Sequence, residues 1–269
     1  MGAAPPPKKR LGQHFLIDQN IVRKIVAAAA LQPDEAVLEI GPGRGILTRA
    51  LCGQAKRVFA IEVDRSLGVT LAEALAGCTN VEIHLGDALE YPYESLEPGT
   101  VVVANLPYNV SSPLLFKLLN AHQKINRMVL MLQTEVARRL VAGPGTKDYG
   151  ILSVLTQYRA VPSIGFHVSA GCFRPKPAVS STVVLLPMRQ EPAVPVVDEP
   201  LFIRTVRASF AHRRKTLPNS LRDEGFSPEQ ILPALKAAGI APASRAESLV
   251  IAQFAALANA LARGKGIEE

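Results

Sequence analysis

The residues with the clearest chemical potential are the tetrapeptide Asn105-Leu106-Pro107-Tyr108, which directly follows the apolar run 101–104. A carboxamide, a carbonyl constrained by proline and an aromatic ring therefore stand at the end of a predicted buried strand. The two oxygens can accept hydrogen bonds from a flat exocyclic amine, and the ring can stack on the base that carries it. Acceptors that favour a pyramidal nitrogen localise its lone pair, which stabilises the transition state of a nucleophilic attack. A simpler interpretation is a strand-to-loop turn in which Pro107 supplies its fixed φ.

A glycine-rich loop, Gly41-Pro42-Gly43-Arg44-Gly45, lies upstream between a predicted strand and a predicted helix. Glycines such as Gly41 and Gly43 let the backbone approach a ligand without a clash at Cβ. The dinucleotide-binding pattern places its last glycine three residues after the second, whereas here the gap is two. No Gly-Lys-Ser/Thr pattern occurs, which disfavours a nucleoside triphosphate site. Taken alone, the loop could also be a tight turn.

Two acidic residues close the next two predicted strands. Glu62 lies 21 residues after Gly41 and could accept hydrogen bonds from both ribose hydroxyls of an adenosine. The Asp87 carboxylate could accept the adenine amine. Taken singly, Glu62 could be a solvated strand end and Asp87 a helix N-cap. In an open sheet the carboxyl ends of parallel strands form the ligand crevice, so we expect the loop, both acids and Asn105 to converge there.

The elements that must position these residues alternate between strand and helix, which indicates a mostly parallel sheet covered by helices. The predicted strands are 36–40, 57–63, 81–85, 101–104 and 128–132, with a terminal antiparallel pair at 165–168 and 180–186. The predicted helices are 21–31, 46–52, 66–76, 113–119, 135–141 and 151–158. Beyond a proline-rich linker at 190–200, only helices are predicted, at 201–210, 228–238 and 246–262. We therefore predict an α/β domain over residues 1–190 and a small all-helical domain over residues 191–269.

Composition restricts the class of protein. Hydrophobic residues make up 48% of the chain, which supports a packed core, and the formal net charge of +7 favours a polyanionic partner. Cys52, Cys78 and Cys172 are far apart, so we expect small core residues rather than a disulfide framework or a zinc site. No apolar run is long enough for a membrane span and no signal peptide is evident. We expect a cytoplasmic protein without a metal.

Two groups of basic residues could contact a polyanion. Lys8, Lys9 and Arg10 belong to residues 1–10, which we expect to form a flexible basic arm. The second group lies in a stretch that has no acidic residue between positions 200 and 221. Its members are Arg204, Arg207, Arg213, Arg214 and Lys215. A solvated helix face is the usual explanation of such a run.

The ordered series resembles the class I S-adenosylmethionine-dependent methyltransferases, and more narrowly the ribosomal RNA adenine dimethyltransferases, over about residues 9–221. Residues 9–16, Lys-Arg-Leu-Gly-Gln-His-Phe-Leu, are similar to the N-terminal signature of that family, in which many members have Asn at the position of His14. Residues 105–108 are similar to its amine-binding motif. Residues 173–181, Phe-Arg-Pro-Lys-Pro-Ala-Val-Ser-Ser, resemble its late motif.

The resemblance implies a Rossmann-like fold with a seven-stranded sheet and an S-adenosylmethionine-dependent methyltransferase that modifies the N6 amine of adenine. It implies that the cofactor is bound by His14, Leu16, Gly41, Gly43, Glu62, Asp87, Ala88 and Asn105. The implied catalytic residues are Asn105, Leu106, Pro107, Tyr108 and Phe173. In this arrangement a flipped adenine would lie between the rings of Tyr108 and Phe173.

Residues 210–221 resemble the small-subunit branch of the family, which dimethylates two adjacent adenosines in a hairpin near the 3′ end of small-subunit (16S) rRNA during ribosome biogenesis. We therefore expect an RNA-binding rRNA-processing enzyme that acts as a monomer on rRNA or on an assembling small subunit. One alternative is a large-subunit rRNA methyltransferase of the macrolide-resistance type. Another is a non-catalytic RNA-binding factor on the same fold. A third is a DNA adenine methyltransferase, which commonly has Pro in place of Leu106.

Overall fold

A computed structural model describes residues 5–212 and 214–264. They divide into two compact units. The first contains the chain up to residue 137 together with residues 161–188, and the second contains residues 138–160 together with the chain from residue 189 onward.

The first unit is built on a seven-stranded sheet with the strand order β4-β3-β2-β5-β6-β9-β7. The strands of the described residues are β1 (Phe15–Leu16), β2 (Ala36–Ile40), β3 (Arg57–Glu62), β4 (Val81–Leu85), β5 (Thr100–Asn105), β6 (Ile125–Gln133), β7 (Ser163–Val168), β8 (Phe173–Arg174) and β9 (Ser181–Pro187). Strands β2 to β6 pair in parallel, and β9 pairs antiparallel with both β6 and β7. The predicted mostly parallel Rossmann-like sheet with a terminal antiparallel pair is therefore confirmed.

The helices cover this sheet and build the second unit. They are α1 (Gln19–Ala29), α2 (Ile46–Cys52), α3 (Gly68–Ala74), α4 (Ser111–Asn120), α5 (Thr134–Val141), α6 (Ile151–Arg159), α7 (Glu199–Phe210), α8 (Leu217–Asp223), α9 (Pro228–Ala237) and α10 (Ile251–Gly264). Helix α1 illustrates the local rules. The Asp18 carboxylate caps its N-terminus by accepting hydrogen bonds from the backbone of Asn20 and Ile21. Its buried residues recur at helical spacing and face the sheet core.

Strands β1 and β8 and helices α8 and α10 differ most from the sequence predictions. Strands β1 and β8 pair antiparallel, with Phe15 opposite Arg174 and Leu16 opposite Phe173. They were missed because two residues carry no periodicity. Helix α8 was also missed, although Pro218 suits the first turn of a helix. Helix α10 begins at Ile251, five residues later than predicted, because residues 246–248 form a separate 3₁₀ turn.

The second unit includes residues 138–160, which we had placed in the first domain. Contacts within the unit explain the difference. The Gln157 side chain donates to the carbonyls of Leu140 and Ala142, and the Tyr149 hydroxyl donates to the carbonyl of Leu249, at 2.9 Å. The ring of Tyr158 packs 4.6 Å from that of Phe202 in α7. These contacts join segments that are separated in the sequence, so the order of the predicted elements along the chain could not reveal them.

The cysteines also differ from expectation. Cys52, at the end of α2, forms a disulfide with Cys78, while Cys172 is unpaired. The expectation that all three are separate small core residues is therefore corrected, because the turn after α3 returns to the end of α2. No helix in residues 5–212 and 214–264 is long and apolar enough to cross a membrane.

Candidate active site

The glycine-rich loop joins β2 to α2 and contacts the end of β3. Gly41, Gly43 and Gly45 have φ values of 71°, 60° and 78°, in the left-handed region that favours glycine. A Cβ on Gly43 would also lie only 2.9 Å from the ring of Phe15. The loop therefore needs glycine for its backbone shape and, at Gly43, for close packing.

Glu62 at the end of β3 holds this loop. One of its carboxylate oxygens accepts the backbone N–H of Gly43 at 3.0 Å, and the other accepts that of Asp64 at 2.8 Å. The side chain is 4% exposed, and burial raises the Glu62 pKa above its ordinary value. Each oxygen keeps a second acceptor direction, so the carboxylate can bind ligand hydroxyls while it fixes the loop.

Glu39, in β2 beneath the loop, is a second buried carboxyl that lines the same cleft. Burial, assisted by the nearby charge of Glu62, raises the pKa of Glu39 to about 8. Its Oε2 atom has no hydrogen-bond partner among the described residues. No role for Glu39 is predicted from the sequence, although its place two residues before Gly41 is a signal that could have identified it.

Asp87 and Ala88 follow β4 and line the cleft. One carboxylate oxygen of Asp87 accepts the backbone N–H of Leu89 at 2.8 Å, which fixes the side chain beside the strand end. Ala88 is buried, and its carbonyl accepts the hydroxyl of Tyr93 at 2.8 Å. Both residues thus sit at the sheet edge where the sequence predicted a cofactor contact.

The tetrapeptide 105–108 follows β5 at the same sheet edge. Leu106 is buried and its N–H donates to the carbonyl of Met131, so the backbone of the tetrapeptide is anchored to β6. The Asn105 amide nitrogen donates to the carbonyl of His14 at 3.4 Å, which leaves the amide oxygen available as an acceptor. The Tyr108 hydroxyl is 2.6 Å from Oγ of Ser181, and burial raises the Tyr108 pKa.

The N-terminal residues form a wall of the cleft. The Lys8 ammonium pairs with Asp64 at 2.5 Å, and the Gln13 amide donates to the other oxygen of Asp64 at 2.8 Å. Residues Lys9–Leu11 form a 3₁₀ turn, and residues 11–16 line the cleft. That residues 1–10 form a flexible arm stays a prediction; in the structure Lys8 contacts Asp64 and residues Lys9–Leu11 form a turn, while residues 1–4 lie outside the described part of the chain.

Phe173 does not reach the cleft. Its side chain is completely buried and belongs to the core cluster that contains Leu16 and Val183. The pairing of β8 with β1 turns the residue into that core. The predicted stacking face opposite Tyr108 is thus not formed by Phe173 in this structure, where the ring stacked on Tyr108 belongs to His14.

The cleft encloses about 980 Å³, including space open to solvent. Every residue predicted to bind the cofactor lines it, as do all four residues of the tetrapeptide; the cofactor residues are His14, Leu16, Gly41, Gly43, Glu62, Asp87, Ala88 and Asn105. The carboxyl groups of Glu62 and Asp87 suit a ligand that carries positive charge and hydroxyl groups. S-adenosylmethionine fits this description, because it carries a sulfonium, an ammonium and two ribose hydroxyls. No group of three potential metal ligands occurs among residues 5–212 and 214–264.

The predicted RNA-binding residues have unequal environments. Lys9, Arg10, Arg207 and Arg214 are exposed. Arg204 lies over the ring of Phe226 at 4.4 Å and donates to the carbonyl of Gly225 at 3.3 Å.

Lys215 pairs with Asp223, and Lys8 pairs with Asp64 as described above. Arg213 lies outside the described residues. The runs of basic residues in the sequence could not predict that Lys8, Arg204 and Lys215 contact other residues of the chain.

The fold and the cleft define a class I methyltransferase. The sequence matches the ribosomal RNA adenine dimethylase family over residues 6–263, so the chain belongs to that family. The predicted family and the predicted S-adenosylmethionine-dependent methyltransferase are thereby confirmed.

Named relatives and solved structures agree with this assignment. The chain is 45% identical over 266 residues to "Ribosomal RNA small subunit methyltransferase A" of Moorella thermoacetica, covering 95% of this chain and 92% of the relative. It is 47% identical to the protein of that name from Pelotomaculum thermopropionicum, covering 94% and 90%. A dimethyladenosine transferase from Plasmodium falciparum is similar in structure, with a TM-score of 0.79, 27% identity and coverage of 91% and 96%. The 23S rRNA methyltransferase ErmE gives a TM-score of 0.69, 29% identity and coverage of 92% and 99%.

Proposed function

We propose that this protein dimethylates the N6 amines of two adjacent adenosines in the hairpin near the 3′ end of small-subunit rRNA. The observation that carries the proposal is the cleft itself, which brings the amide oxygen of Asn105 and the cofactor-type carboxylate of Glu62 to one sheet edge. The small-subunit target is supported by relatives of that name at 45% and 47% identity. The large-subunit methyltransferase structure is more distant, at 29% identity.

S-adenosylmethionine supplies an electrophilic methyl group when it is bound. Glu62 would accept hydrogen bonds from its ribose hydroxyls and Asp87 one from its adenine amine, while the loop from Gly41 to Gly45 would carry the methionine end. These contacts fix the position of the methyl group, and such orientation supplies a large part of the rate acceleration of a two-substrate reaction.

Asn105 and Pro107 would bind the target amine. The amide oxygen of Asn105 and the carbonyl of Pro107 would accept its two N–H bonds, which localises the nitrogen lone pair as positive charge develops. Tyr108 would stack on the extruded base. Asn105 would therefore act as an orienting acceptor and not as a base. A second transfer requires that the monomethylated base re-enters the same site.

The second unit would contact the RNA. Its exposed cations, with Lys9 and Arg10 of the first unit, suit phosphate contacts whose strength falls with salt. We further propose that the substrate is rRNA within an assembling small subunit, and that the protein works as a cytoplasmic monomer.

The test offers labelled S-adenosylmethionine to small-subunit particles that lack the modification, and then maps the labelled bases. We expect label in two adjacent adenosines, with two methyl groups each at completion. Label confined to large-subunit rRNA, or no label above that of particles without protein, would refute the proposal.

A further inference from the structure

The disulfide between Cys52 and Cys78 joins two turns at the surface of the first unit. Cys52 is the last residue of α2, Cys78 follows α3, and their Cα atoms are 6.0 Å apart. Both cysteines are half-buried, whereas the neighbouring Gly53 and Gly77 are exposed. A Cβ on Gly77 would meet no other atom within 4 Å, so a small thiol can approach the bond from this side.

The two helices that the disulfide joins both start beside the predicted cofactor site. Helix α2 begins directly after Gly45 of the glycine-rich loop. Helix α3 follows the end of β3, where Glu62 accepts the backbone N–H of Gly43. The disulfide therefore connects the far ends of two helices whose near ends adjoin the loop and the Glu62 carboxylate. It closes a loop between cysteines 26 positions apart, and this loop contains Glu62.

A small apolar cluster connects the disulfide with the glycine-rich loop. Cys78 packs against this cluster, whose buried members are Phe15, Leu67, Leu71 and Leu75. A Cβ on Gly45 would lie 3.3 Å from the Leu71 side chain and 3.7 Å from that of Leu75. A Cβ on Gly43 would lie 2.9 Å from the ring of Phe15. The loop therefore packs on the same side chains as Cys78, and a shift of the cluster would alter the loop.

We propose that Cys52 and Cys78 form a redox-modification site that exchanges with small thiols and sets the affinity of the cleft for its cofactor. The disulfide form holds the loop ready for the cofactor, and the dithiol form binds it more weakly. The inference goes beyond the proposed function, because it assigns a modification to residues outside the cleft.

The chemistry is thiol–disulfide exchange with a small thiol such as glutathione. A glutathione thiolate attacks one sulfur of the protein disulfide, which forms a mixed disulfide and releases the other cysteine as a thiolate. A second glutathione thiolate then attacks the glutathione sulfur of the mixed disulfide, and glutathione disulfide leaves. The protein gains two electrons and two protons and ends with two thiols. The reverse sequence, with glutathione disulfide as the oxidant, restores the bond.

The compartment favours a reversible role over a structural one. Stable disulfides are rare in reducing compartments, and those that occur there are mostly transient, catalytic or redox-sensing. Only this step rests on the proposed function, which places the protein in the cytoplasm.

Reduction should loosen this part of the first unit without unfolding it. The Asn80 side chain donates to the carbonyls of Cys52 and Ala55, at 3.1 Å and 2.8 Å, so a link between the two turns persists without the covalent bond. Loss of the cross-link nevertheless lets the closed loop sample more conformations. Affinity falls because the cofactor then binds only the fraction of molecules whose loop is in place.

The test compares wild-type protein oxidised with glutathione disulfide and the same protein reduced with dithiothreitol. A thiol-reactive dye should detect one thiol in the first form, that of Cys172, and three in the second. Calorimetry with S-adenosylhomocysteine, the demethylated cofactor, measures the Kd of each form. We expect the Kd to be about five- to tenfold larger in the reduced protein, at the lower end of the usual coupling between two sites.

Reciprocity provides a second readout. If reduction weakens the cofactor analogue by a given factor, saturating analogue must oppose reduction by the same factor. A titration with mixtures of glutathione and glutathione disulfide, with and without S-adenosylhomocysteine, should show this shift in the equilibrium between disulfide and dithiol. A loss of affinity caused by damage to the protein would produce no matching shift.

The double variant Cys52→Ser, Cys78→Ser should bind the analogue as the reduced wild type does and should not respond to glutathione disulfide. Cys172→Ser is the matched control, because the Cys172 thiol donates to the Asp18 carboxylate and forms no disulfide. It should bind as wild type does in both redox forms.

Equal Kd values for the two wild-type forms would overturn the inference. It would also fail if three thiols remained after treatment with glutathione disulfide, or if reduction abolished the native circular dichroism, since the bond would then be absent or purely structural. None of these measurements uses RNA, so their outcome is independent of the proposed methylation target.

Discussion

The cleft of the first unit and the basic helical surface of the second unit hold their charged groups in opposite ways. In the cleft, Glu62 is buried and both of its oxygens accept backbone N–H groups. On the helical surface the cations are exposed, and Arg204 and Lys215 are bound by neighbours within the unit. Backbone N–H groups at the sheet edge thus fix the carboxylate of Glu62 in its position. On the helical surface, by contrast, side-chain partners decide whether a cation is available to bind phosphate.

The largest expected effect tests the prearranged cleft. Asn105→Ala removes the amide oxygen that would accept a hydrogen bond from the target amine. We therefore expect kcat for methyl transfer to fall by about 10²- to 10³-fold, the usual cost of one such group in a transition state. Cofactor affinity should change little, because Glu62 and the glycine loop remain. Rates on unmethylated particles and calorimetry with a cofactor analogue measure the two effects.

Asn109→Ala is the control for this substitution, since Asn109 is an exposed asparagine four residues farther along the chain that does not line the cleft. It should leave kcat unaltered. Comparable turnover by Asn105→Ala and wild-type protein would refute the assigned role of the amide.

Glu62→Ala tests the cofactor half of the cleft. The carboxylate should contribute about 10- to 100-fold to cofactor affinity, as expected for hydrogen bonds to a charged group. Because burial raises the Glu62 pKa, affinity should also decline on acidification at a higher pH than for an ordinary glutamate. Titration of a cofactor analogue between pH 5 and 8, at about half-unit steps, checks both statements. An unchanged Kd in the variant would exclude the ribose contact.

The sequence predicted the cleft well because parallel strands deliver their last residues to one edge. Gly41 and Asp87 follow strands β2 and β4, Glu62 and Asn105 end strands β3 and β5, and the structure brings the four residues together. The alternation of predicted strands and helices, which indicates a mostly parallel sheet, was therefore sufficient to place them at one edge.

The sequence did not predict the contacts between residues that are far apart along the chain. The burial of Phe173 depends on the two-residue pairing of β8 with β1, and the place of Lys8 depends on Asp64, more than fifty residues away. Neither contact has a local signature. The same reason explains why the sequence predicts residues 138–160 in the first domain, whereas the structure groups them with the second unit.

A smaller effect should follow from the Lys8–Asp64 contact. Burial raises the Asp64 pKa, but the hydrogen bonds from Lys8, Ser66 and Gln13 outweigh it and hold the pKa well below its ordinary value of 3.8. The resulting stability is present above that value and is lost as the pH falls through the lower pKa of the folded state. Asp64→Asn should therefore lower the free energy of unfolding at pH 7 by about 1 kcal/mol, a modest figure because the Lys8 side chain is 36% exposed.

Denaturant unfolding of both proteins at pH 7 and pH 3 measures this difference. The difference in unfolding free energy should narrow at pH 3, because the Asp64 carboxylate of the unfolded wild-type chain is then largely protonated while that of the folded protein is still ionised. A constant difference across the range would show that the ionised carboxylate is not what holds the N-terminal wall.

The smallest expected effect concerns the exposed cations of the second unit. It should distinguish a cation without an ion pair from one that already pairs with an acidic residue of the unit. Arg214 forms no ion pair with a described residue, whereas Lys215 must leave Asp223 before it can reach a phosphate. Arg214→Gln should therefore weaken particle binding about two- to fivefold and reduce the salt dependence by about one counterion. Lys215→Gln should have a smaller effect, and Asp223→Asn should strengthen binding by releasing the ammonium of Lys215. Particle binding measured over a series of salt concentrations tests this distinction. Equal losses of affinity and equal salt slopes for Arg214→Gln and Lys215→Gln would contradict it, because exposure and ion pairing would then not determine which cations contact the RNA.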